Sequence, residues 1–403
     1  MALRGNAIVG QSGGPTAVVN ASLAGVIEAA KQHDEVGAVY GAVNGVEGLL
    51  REDMADLRAE DDAQLSLLAK TPSAALGSCR KKLKQADYEK LLALFKAHDI
   101  RYWFYIGGND SADTTHQVGR LATEAGWDIR VIGIPKTVDN DLAYTDHCPG
   151  YGSVARFNAL ATRDAGLDTA AMYTVDTVKI IETMGRNAGW ITAATALARE
   201  APGDPPHLIY LPERVFDRER FLSHVKREVE KGRGCVIAVC EGLRDASGEA
   251  LVSFKHTVGT DSFGHKQLGG VGDYLVDLIA EHLNIKARFD KAGTIQRSFG
   301  LGQSDVDVAE AKMVGAAAVR HACEGVTDKM ITLERVSNTP YRCETGLADL
   351  QEVANAERPV PDEFIAAEGN DVTAAFLDYA RPLIGGPLPP YARLKLKRVP
   401  KRM

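Results

Sequence analysis

Short apolar runs alternate with amphipathic stretches along most of this chain, and this alternation is the feature that most limits its fold. The candidate strands cover residues 7–10, 36–43, 102–106, 130–134, 178–182, 207–211 and 235–240. Candidate helices lie between them, for example at 17–31, 88–98, 112–125 and 218–231. Such alternation favours an α/β fold with mostly parallel sheets that are covered on both faces. Ligands of these folds bind beyond the carboxyl ends of the strands, so the loops at those ends are the candidate functional segments.

Composition and charge narrow the class of protein further. The formal net charge of −7 over 403 residues gives no reason to expect nucleic-acid binding. No apolar run approaches the roughly 20 residues of a membrane span, and the first residues have no signal-peptide pattern. The six cysteines form no Cys-x-x-Cys pair and have no zinc-ligand spacing, which is typical of a reducing compartment. We therefore expect a cytoplasmic protein without nucleic-acid or membrane partners.

The loop after the candidate strand at 130–134 carries the densest group of reactive side chains. It offers a cation at Lys136, a hydroxyl at Thr137 and carboxylates at Asp139 and Asp141. A cation can neutralise a moving phosphoryl group, and a carboxylate can take the proton of an attacking hydroxyl. This loop therefore predicts phosphoryl transfer, with Asp141 either supporting Asp139 or serving only as a turn residue.

A second loop, after the candidate strand at 102–106, places two glycines before Asn109, Asp110 and a candidate helix. Paired glycines let backbone N–H groups approach an anion closely. A carboxylate beside such a loop is electrostatically unfavourable unless a cation lies between it and the anion. Taken alone, Asp110 would be interpreted as the N-cap of the helix that follows.

Two more segments have the features of phosphate-binding loops. Gly13 lies in a glycine-rich turn between a strand and a helix, whose N-terminal N–H groups would favour an anion. Arg80 and Lys81 follow a Gly-Ser turn, and the planar fork of arginine suits phosphate oxygens. Each segment alone would also be compatible with a plain tight turn or a solvated helix start. Neither matches the dinucleotide-binding or P-loop patterns.

In combination, these loops resemble the phosphofructokinase family. The resemblance rests on Pro-x-Thr-x-Asp-Asn-Asp around Asp139 and on Gly-Gly-x-x-Ser ending at Ser111. Asp110 and Lys136 resemble the pyrophosphate-dependent branch, because ATP-using members typically have glycine at both positions. By this resemblance, Asp110 would exclude a nucleotide by its bulk and charge. Lys136 would neutralise the pyrophosphate and the charge that develops in the transition state.

The resemblance also implies roles for the other residues of these loops, on the acceptor side and on the donor side. Asp139 would be the general base, and Thr137 would donate a hydrogen bond to the acceptor. Gly13 would contact the donor, and Arg80 would bind the donor phosphates with Lys81 in reserve.

Mg²⁺ is the cofactor that the resemblance implies, but one ligand position departs from the family pattern. Asn109 stands where many members have an aspartate that is associated with the metal. Asparagine offers a carbonyl oxygen without charge, whereas Mg²⁺ prefers one or two carboxylates together with waters and substrate phosphates. Asn109 would then hold the metal through water, or Asp110 or Asp139 would contribute more.

On the acceptor side, two segments resemble the family's sugar-binding loops. Met184-Gly185-Arg186 follows the candidate strand at 178–182 and resembles the loop that binds fructose 6-phosphate. Glu241 follows the strand at 235–240 and resembles the sugar-binding glutamate. The family's arginine that crosses a subunit interface has no counterpart upstream of Met184, where Lys179 is the nearby cation.

A third acceptor segment resembles the family's Gly-x-Ile-Gln-Arg element, which holds the 6-phosphate of the sugar. Arg297 is the firmest match in it, followed by Arg288 and Thr294. Thr294 stands where histidine or tyrosine is commoner, and Ser298-Phe299 replaces a usual Gly-Gly. These departures bear on the affinity and selectivity for the sugar rather than on the class of reaction.

The fold that the family implies is two doubly wound, Rossmann-like α/β domains with mostly parallel sheets and an active site in the cleft between them. We assign residues 1–149 and about 296–345 to a phosphate-donor domain, and 150–295 and about 346–403 to a sugar-phosphate domain. The basic C-terminal tail after Pro387 is expected to be solvated or docked on the surface. The resemblance also implies a homodimer or a homotetramer.

The predicted reaction is a reversible, Mg²⁺-dependent transfer of phosphate from pyrophosphate to the 1-hydroxyl of fructose 6-phosphate, in glycolysis or gluconeogenesis. The alternative within the family is an ATP-dependent phosphofructokinase, which Asp110 and Lys136 disfavour. A non-catalytic regulatory subunit would keep the fold, but the intact Thr137, Asp139 and Asp141 disfavour it. Lipid and NAD kinases share Gly-Gly-Asp-like loops but lack the sugar-phosphate segments.

Overall fold

The computed structural model describes residues 3–252 and 270–402, and the strands within these residues form two sheets. The strands are β1 (Gly5–Gln11), β2 (Val36–Ala42), β3 (Met54–Asp56), β4 (Ile100–Gly107), β5 (Arg130–Pro135), β6 (Val178–Thr183), β7 (Leu208–Tyr210), β8 (Cys235–Cys240), β9 (Ala287–Lys291), β10 (Lys329–Asn338) and β11 (Tyr341–Asp349). The larger sheet has seven strands in the spatial order β11-β10-β5-β4-β1-β2-β3. The smaller sheet has four described strands in the order β7-β8-β6-β9.

Helices connect most of these strands and pack against the sheets. The α-helices of the described residues are α1 (Val19–Lys31), α2 (Gly45–Leu49), α3 (Asp62–Leu68), α4 (Gln85–Ala97), α5 (Asn109–Glu124), α6 (Tyr151–Met172), α7 (Trp190–Ala194), α8 (Arg218–Val229), α9 (Val271–Leu283), α10 (Ile295–Ser298), α11 (Asp305–Cys323), α12 (Leu350–Ala354) and α13 (Ala374–Ala380). None of the described helices is long and apolar enough to cross a membrane.

The central strands are apolar along their length because both faces of the sheet are covered. Tyr102 and Phe104 of β4 pack in one core cluster with α1 and α11, whereas Trp103 and Tyr105 pack in another cluster on the opposite face. Successive side chains of a strand point to opposite faces, so a strand that is buried on both faces reads as one continuous apolar run.

The strand pairing confirms the predicted α/β class with mostly parallel sheets. β1 pairs in parallel with β2 and β4, β4 with β5, and β6 with β8 and β9. The antiparallel pairs β2–β3 and β10–β11 lie at the two ends of the larger sheet.

All seven candidate strands are present as β1, β2, β4, β5, β6, β7 and β8. The apolar-run criterion missed β3, β9, β10 and β11, because these strands are short or carry many exposed polar residues.

The path of the chain between the two sheets bears on the proposed domain boundaries. The chain leaves the larger sheet after β5 and enters α6, and it returns through α11 to β10 and β11. The boundary that we set near residue 345 lies within β11, whose last residue is Asp349. Leu350 and Val353 of α12 pack with Ala112 and Met330 on the side of the larger sheet. We therefore propose that the third crossing, at which the chain leaves the larger sheet again, lies after α12 rather than near residue 345.

Candidate active site

A cleft of about 530 Å³ lies where the carboxyl ends of β1, β4 and β5 face those of β6 and β8. This position is the one expected for ligands of parallel α/β sheets. Twelve of the sixteen predicted site residues line the cleft. They are Gly13, Arg80, Asn109, Asp110, Lys136, Thr137, Asp139, Asp141, Met184, Arg186, Glu241 and Arg297.

The glycine turn after β1 is fixed to the segment that carries Arg80. Gly13 has a φ of +76°, a conformation that side-chain-bearing residues rarely adopt. Its N–H donates a hydrogen bond to the carbonyl oxygen of Cys79 (3.0 Å), and Ser78 Oγ donates to the carbonyl oxygen of Gly13 (2.6 Å). These two bonds bring two segments that are distant in sequence to one wall of the cleft. They place Arg80 beside the glycine turn, as the donor-site hypothesis requires.

Lys136 joins the loop after β5 to the same turn. Its side chain is buried, with 4% of its surface exposed, and its Nζ donates a hydrogen bond to the carbonyl oxygen of Gly14 (2.9 Å). Burial lowers the pKa of Lys136 to about 8, and the guanidinium groups of Arg297 and Arg80 act in the same direction. A buried cation at this position can interact strongly with an anion that enters the cleft.

Asp139 is half-buried in the same loop and lines the cleft. Its Oδ1 is enclosed and has no hydrogen-bond partner among the described residues. Burial raises the pKa of Asp139 to about 7, and the charges of Asp141 and Glu241 add to the rise. Burial also raises the pKa of Asp141, whereas a hydrogen bond with Thr137 opposes this shift. A buried acceptor without a partner is unusual in a folded protein and marks a place where a hydroxyl can bind.

The loop after β5 is held in shape by residues that have no motif in the sequence. Asn140 adopts the left-handed conformation with a φ of 56°, and its Oδ1 accepts from the N–H of Cys148 (2.9 Å). Arg358 Nη2 donates to the carbonyl oxygen of Asn140 (2.9 Å), and its Nη1 donates to that of Thr145 (2.9 Å). The Arg358 guanidinium also lies 4.6 Å from the ring of Trp190, on the side of the smaller sheet. Sequence reasoning missed Arg358 because its contacts depend wholly on tertiary packing.

The loop after β4 places Asn109 and Asp110 at the start of α5. Gly108 is the N-cap of this helix, so the alternative interpretation of Asp110 as the N-cap is wrong. Asp110 lies in the first helical turn and lines the cleft, where the N-terminal end of the helix favours a negative charge. Asn109 Nδ2 donates to the carbonyl oxygen of Ala356 (2.7 Å), which leaves the side-chain oxygen for another partner.

These side chains are a chemically suitable donor set for a divalent cation. Asp110, Asp139 and Asp141 offer carboxylate oxygens to the cleft, and Asn109 offers an uncharged one. Hard cations such as Mg²⁺ take oxygen ligands of this kind and are also coordinated by substrate phosphates.

The wall of the cleft formed by the loops after β6 and β8 carries Arg186 and Glu241, and we refer to it as the acceptor wall. β6 and β8 pair in parallel up to Thr183 and Cys240, so the loops that follow them lie side by side. Gly185 has a φ of +133°, and its carbonyl oxygen accepts from Cys240 Sγ (2.9 Å). Gly185 therefore shapes the loop that presents Arg186 but does not itself line the cleft.

Arg297 lies against the glycine turn after β1, although sequence reasoning assigned it to the sugar phosphate. A Cβ atom added to Gly14 would lie 2.6 Å from Nη1 of Arg297 and 3.6 Å from Nη2 of Arg80. Gln296 precedes Arg297 and supports the acceptor loop, since its Oε1 accepts from the N–H of Met184 (3.3 Å). Arg297 is thus placed between the two walls, where it can reach phosphate groups on either side.

Three other predicted residues lie outside the cleft of their own chain. Arg288 is exposed, and its Nε pairs with Asp176 at 2.8 Å. Lys81 Nζ lies 3.7 Å from Asp87 in the first turn of α4. Thr294 is exposed at the N-terminus of α10 and does not line the cavity. The roles of these residues stay predictions that the geometry of one chain does not support.

The cleft also contains residues that sequence reasoning did not select. Asn187, Asn355, Ala356 and Glu357 line it, and Asn187 Nδ2 donates to Glu357 Oε2 (3.1 Å). The segment around Ala356 shows no motif and becomes part of the site only because α12 packs on α5. By contrast, Asn187 directly follows the predicted Met184-Gly185-Arg186 segment, which was a usable signal.

Comparisons with known proteins agree with this geometry. The sequence pattern of the family described as "Phosphofructokinase" matches residues 6–322. The chain is 44% identical over 413 residues to the pyrophosphate–fructose 6-phosphate 1-phosphotransferase of Halomonas elongata, covering 99% of this chain and 98% of that protein. It is 34% identical to the sulfofructose kinase of Alkalicoccus urumqiensis, covering 89% and 91% of the two chains. The solved pyrophosphate-dependent phosphofructokinase of Marinobacter aquaeolei matches at 40% identity with a TM-score of 0.86, covering 99% and 98%.

Proposed function

Since this chain belongs to the phosphofructokinase family, we propose that it transfers a phosphoryl group from pyrophosphate to the 1-hydroxyl of fructose 6-phosphate. The products are fructose 1,6-bisphosphate and orthophosphate. The P–O bond of a phosphoanhydride is exchanged for that of a phosphate monoester. We propose that the reaction is reversible and serves glycolysis or gluconeogenesis in the cytoplasm.

One observation carries this proposal. A single loop after β5 presents the buried ammonium group of Lys136 to the glycine turn, and it lines the cleft with Asp139, whose Oδ1 has no partner among the described residues. The two groups are a cation for the moving phosphoryl group and a base for the attacking hydroxyl, which is the pair that phosphoryl transfer needs.

On the acceptor side, the oxygen of the 1-hydroxyl attacks the nearer phosphorus of pyrophosphate while Asp139 accepts the proton of that hydroxyl. The bond between that phosphorus and the bridging oxygen breaks, and orthophosphate leaves. Thr137 donates a hydrogen bond to the acceptor, and Asp141 supports the Asp139 loop. The raised pKa of Asp139 makes it a stronger base than an exposed aspartate, which favours proton transfer.

On the donor side, Gly13, Arg80 and Lys136 bind the pyrophosphate. Their positive charges and N–H groups offset the charge that spreads over the phosphoryl oxygens in the transition state. Asp110 occupies the first turn of α5, where its carboxylate would meet a nucleotide's additional phosphate. Bulk and like charge would then exclude ATP, which is the basis of the proposed donor selectivity.

Enzymes of this family generally need a divalent metal, and we propose Mg²⁺. Asn109, Asp110 and Asp139 would hold it together with the pyrophosphate oxygens. When bound, Mg²⁺ would neutralise charge on the transferring group.

Arg186, Glu241 and Arg297 are the proposed contacts for fructose 6-phosphate, with Met184 lining the same wall. The guanidinium groups of Arg186 and Arg297 suit a phosphate, and the Glu241 carboxylate suits sugar hydroxyls. Gly185 contributes by shaping the loop.

We also propose that the chain forms a homodimer or a homotetramer. Among the described strands, β9 lies at one edge of the smaller sheet, and Phe289 and Ile295 nearby expose 37% and 61% of their surface. Exposed apolar residues beside an open strand edge are typical of an association surface. Arg288 and Thr294 lie in the same region, so a sugar-phosphate role for them requires a site that is shared between subunits.

The test is the initial rate of product formation with Mg²⁺ and either pyrophosphate or ATP as donor. Fructose 6-phosphate is the expected acceptor, and sulfofructose is the control because a relative at 34% identity is named for it. Turnover with pyrophosphate and fructose 6-phosphate supports the proposal. Turnover with ATP alone contradicts the roles of Asp110 and Lys136, and activity only with sulfofructose contradicts the acceptor. A folded protein with no turnover favours the regulatory-subunit alternative.

A further inference from the structure

Behind the acceptor wall lies an ion pair that no motif predicted, between Lys291 at the end of β9 and Glu182 near the end of β6. The two residues are register partners in the parallel pair β6–β9. Lys291 Nζ donates to Glu182 Oε1 at 2.6 Å, and the Glu182 side chain is fully buried. Its other oxygen, Oε2, accepts from the N–H of Gly272 at 2.8 Å. Both carboxylate oxygens of Glu182 are therefore satisfied, and the position of Lys291 Nζ is fixed.

The same ammonium group reaches the proposed sugar-binding carboxylate. Lys291 Nζ lies 3.7 Å from Oε2 of Glu241, which lines the cleft. Lys291 thus contacts both Glu182, which does not line the cleft, and Glu241, which does. About one-third of the Lys291 side chain is exposed (33%), so it lies at the margin of the acceptor wall.

The charges at this bridge explain why the cation matters. Burial raises the pKa of Glu241, Lys291 opposes the rise, and the nearby Glu182 adds to it. Two carboxylates that share one cation are stable together only while the cation is present. Removing the ammonium group would leave Glu241 beside the negative Glu182, and Glu241 would then gain a proton or turn away. In either case it would be a poorer acceptor for sugar hydroxyls.

We propose that Lys291 is a positioning residue for the acceptor substrate, which holds the Glu241 carboxylate toward the cleft while Glu182 anchors Lys291 from behind. The inference rests on the proposed function, because it assumes that Glu241 receives hydroxyl groups of a sugar phosphate. It assigns a role in acceptor affinity to a residue that does not itself line the cavity.

The sheet offers a matched control in the neighbouring ion pair between Lys179 and Asp290. These residues lie on the same two strands, and Lys179 Nζ pairs with Asp290 Oδ2 at 2.8 Å. Lys179 is three residues from Glu182 on β6, and Asp290 is one residue from Lys291 on β9. Because side chains alternate between the faces of a sheet, the control pair belongs to the opposite face. Neither residue lines the cleft. Loss of this pair therefore reports the structural cost of removing a lysine from these strands.

The experiment compares steady-state kinetics of Lys291→Met, Lys291→Arg and Lys179→Met with those of the wild type. We expect Lys291→Met to raise KM for fructose 6-phosphate by about tenfold or more, with less than about a twofold change in KM for pyrophosphate. Lys291→Arg should restore most of the affinity, and Lys179→Met should leave both constants near wild type. In Lys291→Met the acceptor KM should also fall as pH rises, because Glu241 then loses its proton.

A double-mutant cycle with Glu241→Gln separates positioning from general stability. If Lys291 acts through Glu241, adding Lys291→Met to the Glu241→Gln enzyme should change the acceptor KM little further. Equal increases in both substrates' KM, or additive effects in the cycle, would overturn the positioning role. A wild type without fructose 6-phosphate turnover would overturn both this inference and the proposed function. An active wild type with an unchanged Lys291→Met would overturn the inference alone.

Discussion

The ammonium group of Lys136 donates a hydrogen bond to the carbonyl oxygen of Gly14 across 2.9 Å, which ties the loop after β5 to the turn after β1. The contact spans 122 residues of sequence and closes the donor end of the cleft. It also means that Lys136 is already oriented before pyrophosphate binds. Preorganised charges of this kind cost no reorganisation during the reaction.

Replacing Gly14 with alanine should reduce activity more than stability. The added methyl group would lie 2.6 Å from Nη1 of Arg297, and the guanidinium must move away. A displacement of about 1 Å in a positioning group can cost up to about 100-fold, so we expect kcat/KM to fall by about tenfold to 100-fold. Kinetics and thermal unfolding of Gly14→Ala check this, and a loss of activity no larger than the loss of folded protein would contradict it.

Replacing Asp139 with asparagine should abolish most of the turnover while pyrophosphate still binds. The amide cannot take the proton of the 1-hydroxyl, and loss of a general base typically costs about 10²–10⁴ in rate. Calorimetry with pyrophosphate in the absence of Mg²⁺ should give a dissociation constant within a few-fold of wild type, because the metal that Asp139 would help to hold is then absent. A variant that retains more than about a tenth of the wild-type kcat would show that another group is the base.

Activity should have a bell-shaped pH dependence set by Asp139 and Lys136. Asp139 must be ionised to act as a base, so kcat/KM should rise as pH increases through about 7. Lys136 must be protonated to bind pyrophosphate, so kcat/KM should fall as pH increases through about 8. Measuring kcat/KM for pyrophosphate between about pH 5.5 and 9.5 tests both limbs in the free enzyme. In Lys136→Arg the alkaline limb should move upward, and an unmoved limb would exclude Lys136 as its source.

The pairing of Asp110 and Lys136 as a donor filter is tested by changing both residues to glycine. Loss of the buried cation should lower kcat/KM for pyrophosphate by about 100-fold or more. Loss of the Asp110 carboxylate should raise the use of ATP relative to pyrophosphate, because the bulk and charge of the aspartate no longer exclude the nucleotide. The two single variants separate these effects, since Asp110→Gly alone should change selectivity and Lys136→Gly alone should change rate. An unchanged donor preference in the double variant would contradict the filter.

Much of the fold and of the donor site could be predicted from the sequence because the signals are local. A buried parallel strand is a continuous apolar run, and the loop that follows it must lie at the sheet's carboxyl edge. That reasoning located Gly13, Asp110, Lys136 and Asp139 in one cleft without knowledge of the packing. It failed for β11, which has no buried residue along its length, and for β10, in which the buried residues 330–333 include a threonine and are followed by exposed positions.

The rest of the site was predicted less completely because its contacts join residues that are far apart in the chain. Arg358 reaches the carbonyl oxygen of Asn140 across 218 residues, and no spacing rule connects the two positions. Arg288 and Lys81 carry suitable charges, but each pairs with a carboxylate outside the cleft.

The sequence by itself determined the class of fold, the order of the phosphate loops and the chemistry of the loop after β5. Only the tertiary structure decided that Arg297 lies against Gly14 and that Lys291 bridges Glu182 and Glu241. The physical reason is range. Strand patterns and loop residues follow from local geometry, whereas the direction of a long cationic side chain is set by which distant carboxylate or carbonyl group packing brings within reach.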